Sequence, residues 1–224
     1  ITNEEFEASI EVNHADIKDD QTGQYGIQAK SIGESAKAFP DELVFETLLP
    51  GGFTSLCYDG QYFFDTDHPI GETGSTQSNK ITTALDATSF QTARTMLRKM
   101  KDDFGRPTMN RNMDLLIVVP ADLEATAETI FEALINSSGA TNTLKGKARI
   151  LVADWLSDTN NWYLLNVAGI IKPFVVQERE FIPFEALEEG SESNFMRKKN
   201  YYGTYWRGNA GYGLYQKAVG SLVA

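Results

Sequence analysis

The sequence predicts a mixed α+β fold, and three observations carry that reading. Apolar and polar residues alternate with period two near the start of the chain, and aromatic residues alternate again near its end. Two segments, 88–104 and 121–135, repeat apolar residues at helical spacings of three and four. Between them DLLIVV (114–119) is an almost unbroken apolar run, as a strand covered on both faces requires.

Taken in order, Phe6, Ala8, Ile10 and Val12 alternate with Glu7, Ser9, Glu11 and Asn13, which predicts a half-buried strand. After the acidic turn IKDDQTG, residues 24–38 favour helix with a thin apolar stripe of Ile27, Ala29, Ile32, Ala36 and Phe39. Pro40 fits the first turn of a helix, and Asp41 and Glu42 suit its positive end. The segment is therefore either one long kinked helix or two in tandem, ending at Pro50-Gly51-Gly52. Residues 53–64 form two short apolar runs about Asp59-Gly60, a strong hairpin signal. Residues 71–83 read as loop. In the next helix Thr88 with Gln91 resembles a capping box, and Phe90, Ala93, Leu97, Met100 and Phe104 form its stripe before Gly105 and Pro107 stop it. Pro120 ends the 114–119 strand, and the 121–135 helix buries Leu123, Ala127, Ile130, Phe131 and Leu134. Strands are predicted at 148–154, 161–167 and 173–180. An acidic stretch, FEALEEGSES, follows, then an aromatic tail that reads as strand.

A chain of 224 residues buries about 70% of its unfolded surface without any staple. Its single cysteine, Cys57, excludes an intrachain disulfide, and with only His14 and His68 beside it a Cys/His zinc site cannot be assembled within one chain. A net charge of −11 argues against tight nucleic-acid binding, which draws on Lys and Arg. No run reaches the ~20 apolar residues that span a bilayer, and ITNEEFEASIEV has no signal-peptide pattern, so an intracellular protein is expected. The chain opens on Ile1 without an initiator methionine, and loss of an N-terminal segment is expected.

Candidate chemistry gathers at YFFDTDHPIG. Asp65, Asp67 and His68 offer oxygen and nitrogen ligands to a divalent cation, which would make a metal-dependent hydrolase. The spacing fits no metal signature, and Asp-Thr-Asp-His-Pro also reads as a turn, with Asp side chains capping backbone and Pro69 extending His68. The turn is the preferred reading. Cys57 with His68 could be drawn as a nucleophile pair, but its apolar run suits a small buried hydrophobe. His14 is expected to be an exposed turn residue. Arg197-Lys198-Lys199 beside aromatic residues reads as a solvated or subunit-contacting patch, and Gly208, Gly211 and Gly213 read as bulges or close backbone packing. Asn136-Ser137-Ser138 matches a glycosylation acceptor with no secretory signal to give it meaning. No catalytic, cofactor-binding or metal-binding set emerges.

In order along the chain, IKDDQTGQYG, FPDELVFETLLPGGFTSLCYDGQYFFDTDHPIG, SFQTAR, IVVPADLEATAETIF and RGNAGYGLYQKAVGS resemble the Mu-like phage major head subunit (gpT) family, over essentially the whole chain. The resemblance implies the Hong Kong 97 type of capsid fold, with an extended loop, a long spine helix, a peripheral domain and an axial domain. It implies residues 1–20 as the returning part of the extended loop and 21–80 as spine helix and peripheral domain. Residues 81–195 would be the axial domain and 196–224 closing strands shared with the peripheral domain. The implied function is structural: a major capsid protein, not an enzyme, that self-assembles as pentamers and hexamers into the icosahedral shell of a tailed phage or prophage. Implied partners are a scaffold, a maturation protease and a portal, with packaged DNA touched only weakly and no membrane. The implied location is the virion capsid, after the host cytoplasm. The alternatives are the hydrolase using Asp65, Asp67 and His68, and a decoration or portal component.

Overall fold

A computed structural model describes residues 1–20, 22–71, 74–107, 112–136 and 138–223. The chain runs through β1 (Glu4–Asn13), α1 (His14–Lys18) and α2 (Gln24–Glu42), a π-helical stretch (Leu43–Leu48), and α3 (Leu49–Gly51). Three two-residue strands follow, β2 (His68–Pro69), β3 (Thr76–Gln77) and β4 (Lys80–Ile81), then α4 (Ala87–Lys99) and β5 (Leu115–Val119). A 3₁₀ turn at Ala121–Leu123 leads into α5 (Glu124–Phe131), β6 (Arg149–Val152), β7 (Trp162–Asn166) and β8 (Phe174–Leu187). Last come α6 (Glu192–Arg197), β9 (Lys199–Tyr212), a second 3₁₀ turn at Tyr215–Lys217, and β10 (Ala218–Ser221). These elements divide into two compact units, Ile1–Val44 with Val176–Gly211 and Phe45–Val175 with Tyr212–Ala224.

In the first unit β9 lies between β1 and β8 in a three-stranded sheet. β1 and β9 are antiparallel with Phe6 opposite Trp206 and Ile10 opposite Tyr202. The alternation holds except at Ala8: Phe6, Ile10 and Val12 are sheltered while Glu7, Ser9 and Glu11 face solvent, and Ala8 is exposed with them. Phe39 of α2 packs on Phe6 and Trp206, with ring centroids 4.6 and 5.4 Å away. α2 passes through Pro40 without ending and widens into the π-helical stretch immediately afterwards, so the segment is one long helix and not two. Proline removes a backbone donor in the helix interior and crowds the carbonyl four residues earlier, and the π-helical stretch begins three residues after it.

The second unit is a five-stranded sheet in the order β4-β10-β7-β5-β6, in which β10 pairs β4 in parallel and β7 antiparallel. Both faces are covered, as the unbroken run at 115–119 requires. Ile117, Val119, Trp162, Leu164 and Val219 meet Phe90, Ala93 and Leu97 of α4 and Ala127 and Phe131 of α5. Val118, Tyr163, Leu165 and Ala218 point the other way, to Leu49, Phe53, Phe63, Phe64 and Tyr215. Each fully buried Phe or Leu contributes about 2 kcal/mol, so the side chains that alternate on the strands hold two layers at once.

Several expectations change. The cap of α4 is Asp86 with Ser89, not Thr88 with Gln91: the Asp86 carboxylate accepts from Ser89 N at 2.6 Å, and Asp86 N donates to Ser89 Oγ at 2.8 Å. Phe104 is exposed beyond the helix. The Asp59-Gly60 hairpin is reduced to a turn with one bridge, Leu56 to Tyr62. α5 ends at Phe131, leaving Leu134 exposed in a turn. β8 continues through the acidic stretch to Leu187; Pro183 is tolerated because β8 is an edge strand. Among the described residues no helix is long and apolar enough to cross a membrane.

Candidate assembly surfaces and a buried polar hub

The stretch singled out for chemistry forms a buried polar hub. Pro69 holds His68 in extended backbone, where it pairs with Gln77 as the first residue of β2. The imidazole is fully buried and stacks on Tyr215 with ring centroids 3.7 Å apart. Its Nδ1 lies 2.7 Å from Asp59 Oδ2, and its Nε2 lies 3.1 Å from Asn79 Oδ1. The Asn79 orientation follows from its other bonds, since Nδ2 donates to the carbonyls of Phe63 and Tyr215 while Oδ1 also accepts from Asp65 N at 2.8 Å. The hub therefore ties the 59–65 turn to β4 and to the 3₁₀ turn before β10.

His68 is joined to Asp59, not to the aspartates beside it. The Asp65 carboxylate turns back on the chain, accepting from Thr66 N at 2.8 Å and Tyr62 N at 3.4 Å, as a turn residue does. Asp67 is exposed. Among the described residues no three His, Cys, Asp or Glu side chains gather as a metal-holding group. Cys57 is half-buried against the aromatic core, and burial pushes its thiol up to about 11, far from a reactive thiolate. The hub members missed in sequence, Asn79 and Tyr215, are brought to His68 by long-range pairing, and no local pattern marks them.

His14 is not an exposed turn residue: it opens α1, with Nδ1 3.1 Å from Asn194 Nδ2 and Nε2 3.5 Å from a Glu189 oxygen. Lys199 of the basic run pairs with Glu11. Gly208 and Gly213 are sites of close packing, since a Cβ there would lie 2.3 Å from Gln177 O and 2.1 Å from Lys172 O. Of the acceptor motif at 136–138, Ser137 lies outside the described residues; Asn136 Oδ1 caps the turn through Ser138 N and Ala140 N.

Exposed apolar side chains are the other conspicuous feature. In the second unit Ile170 is 99% exposed on a loop fixed by Lys172, whose Nζ donates to Val167 O, and by Lys217, whose Nζ donates to Ala168 O at 2.5 Å. In the first unit α6 presents Phe195 and Met196, 76% and 70% exposed, side by side. Ser191 Oγ caps this short helix at Asn194 N, and Asn194 is itself tied to His14 and Asn200.

The long helix, the three-stranded sheet and the five-stranded sheet are those of a tailed-phage capsid subunit of the Hong Kong 97 type. The structure resembles the capsid protein of bacteriophage JBD30 at a TM-score of 0.61 and 26% identity, over 70% of this chain and 76% of that one. The JBD30 procapsid subunit matches 100% of this chain and 53% of its own at 27% identity and a TM-score of 0.53. The profile of the family described as Mu-like prophage major head subunit gpT matches residues 1–84, 80–156 and 157–223, and the chain belongs to that family. Among curated relatives, the Mu-like prophage FluMu major head subunit of Haemophilus influenzae is 29% identical over 219 residues, 97% of this chain and 50% of the relative. The chain thus spans half the length of that relative.

Proposed function

We propose that this chain is the shell-forming portion of a major head subunit, acting by association and not by catalysis. The observation that carries the reading is the family match across residues 1–223. The exposed apolar side chains Ile170, Phe195 and Met196 support it, because copies presenting non-identical surfaces close into rings, and rings tile into a shell. Ile1–Val44 with Val176–Gly211 is assigned as spine helix and peripheral domain, with the returning part of the extended loop at residues 1–20. Phe45–Val175 with Tyr212–Ala224 is assigned as the axial domain. These proposed bounds are drawn from the two compact units and differ from the sequence expectation at 45–80, 176–195 and 212–224. A scaffold, a maturation protease and a portal are its proposed partners. Packaged DNA meets a chain of net charge −11 only weakly, which suits packing and ejection. The proposed location is the capsid, reached from the host cytoplasm. Co-expression of the full-length protein with its scaffold is expected to give shells in negative-stain microscopy; a strictly monomeric product under all such conditions would refute the reading.

A further inference from the structure

The first unit carries a groove between β1, β9 and α2, about 620 Å³ in volume. Its floor is apolar: Phe6, Ala8, Ile32, Ala36, Phe39 and Trp206. Its rim is acidic, with Glu5, Glu7 and Glu42 around it, and Glu178 beside it on Trp206 Nε1 at 3.1 Å. Arg207 partly offsets this charge, with its Nε 3.4 Å from Glu5.

The same unit carries a projection of the opposite kind. Phe195 and Met196 stand in solvent, followed directly by exposed Arg197 and Lys198. Lys198 ends α6 with φ of 55°, the one non-glycine residue with positive φ among those described. A lysine there costs about 1 kcal/mol relative to glycine, and what stands in return is a second positive charge beside the two apolar side chains. Glu192 in the first turn is the one acidic residue of α6, and Arg197 also lies within electrostatic reach of Glu11 on β1.

Projection and groove cannot meet within one chain. α6 sits at the end of the β1–β9 ladder where Lys199 faces Asn13, whereas the groove surrounds the pair Phe6 and Trp206, about 20 Å further along the strands. The geometry points to a head-to-tail contact between copies: the groove takes Phe195 and Met196 of a second copy of this chain, with Arg197 and Lys198 of that copy against Glu7 and Glu42. Two different surfaces on one subunit make a heterologous contact, the kind that closes rings and extends lattices. Charge complementarity sets its register, and the aromatic floor supplies the apolar burial. The contact rests on the shell-subunit reading and names one of its joints.

A charge swap in the full-length protein, co-expressed with its scaffold, tests it. Glu7→Arg with Glu42→Arg, or Arg197→Glu with Lys198→Glu, is expected to lower shell yield in sedimentation roughly tenfold or more, because like charges then face each other. The chain carrying all four substitutions has an acidic projection and a basic groove, and is expected to recover assembly to within about twofold. Either double variant assembling like wild type, or a quadruple variant with wild-type circular dichroism and melting that fails to recover, overturns the contact while leaving the shell reading intact. Wild type that forms no shells overturns both. Independently, a benzophenone amino acid at position 195 in isotope-mixed shells is expected to cross-link to groove peptides of another copy; cross-links confined to other segments overturn the contact.

Discussion

Replacing His68 with alanine would remove a ring stacked on Tyr215 and leave the buried Asp59 Oδ2 without its partner, while Asn79 Oδ1 keeps its bond from Asp65 N. The expected loss is about 3 kcal/mol in chemical denaturation. His68→Phe keeps the stacking but not the hydrogen bonds, so it should recover only part of that loss; full wild-type stability would mean the polar contacts contribute nothing. Because Asp65 and His68 are committed to backbone and side-chain partners, treatment with a chelator should leave the melting midpoint unchanged. Lys198→Gly should raise fold stability by about 1 kcal/mol by relieving the left-handed backbone, while weakening shell formation. A variant that gained stability and assembled equally well would separate the lysine from any role in contact. At this scale the sequence reading found the turn character of Asp65 and the close packing of Gly208, each written in local chemistry. It placed His14 in solvent because Asn194, its partner, lies far along the chain.

Among the elements, α4 gives the sharpest test. Asp86→Ala should cost about 1 kcal/mol, whereas Thr88→Ala and Gln91→Ala should cost clearly less, since neither is the cap. The N–H of Ser89 holds the Asp86 carboxyl below its usual range. A carboxylate with a lowered folded-state pKa stabilises at pH above its unfolded value and loses that contribution as pH falls through the folded one. The gap between wild type and Asp86→Ala should therefore be constant near neutrality and close only in acid below the ordinary carboxylate range, which paired denaturation curves can follow. The helix itself was legible because Phe90, Ala93 and Leu97 share one face; its true cap was hidden because serine filled the place usually read for Glu or Gln. The 114–119 strand was legible because two covered faces leave no polar position. β8 was cut short in sequence because its glutamates, exposed along a sheet edge, look like loop composition, and the Asp59-Gly60 hairpin was overestimated because Phe63 and Phe64 turn into the core instead of continuing a ladder.

For the whole molecule, the net charge of −11 sets copies against one another. Lowering ionic strength from about 0.15 M to 0.01 M lengthens the screening distance from about 8 to 30 Å, so shell assembly should slow in light-scattering experiments. Assembly that quickened instead would show that local attraction outweighs long-range repulsion. The family was legible because its signature lies in continuous segments such as residues 40–71. The surfaces were not, because exposure is decided by the three-dimensional path of the chain.

Both sheets share an arrangement with a consequence for synthesis. In each, the strand made last sits inside: β9 between β1 and β8, and β10 between β4 and β7. A nascent chain can pair β5 with β6 and β7 early, but it cannot join β1 to β8 until residues 199–212 emerge, nor β4 to β7 until 218–221 do, so those strands wait with open edges. A polypeptide released too soon lacks the strand that joins β1 to β8 and the one that joins β4 to β7. Such a product keeps β5, β6 and β7 paired but leaves β1, β4, β7 and β8 with unpaired edges, and is expected to aggregate where the complete chain does not.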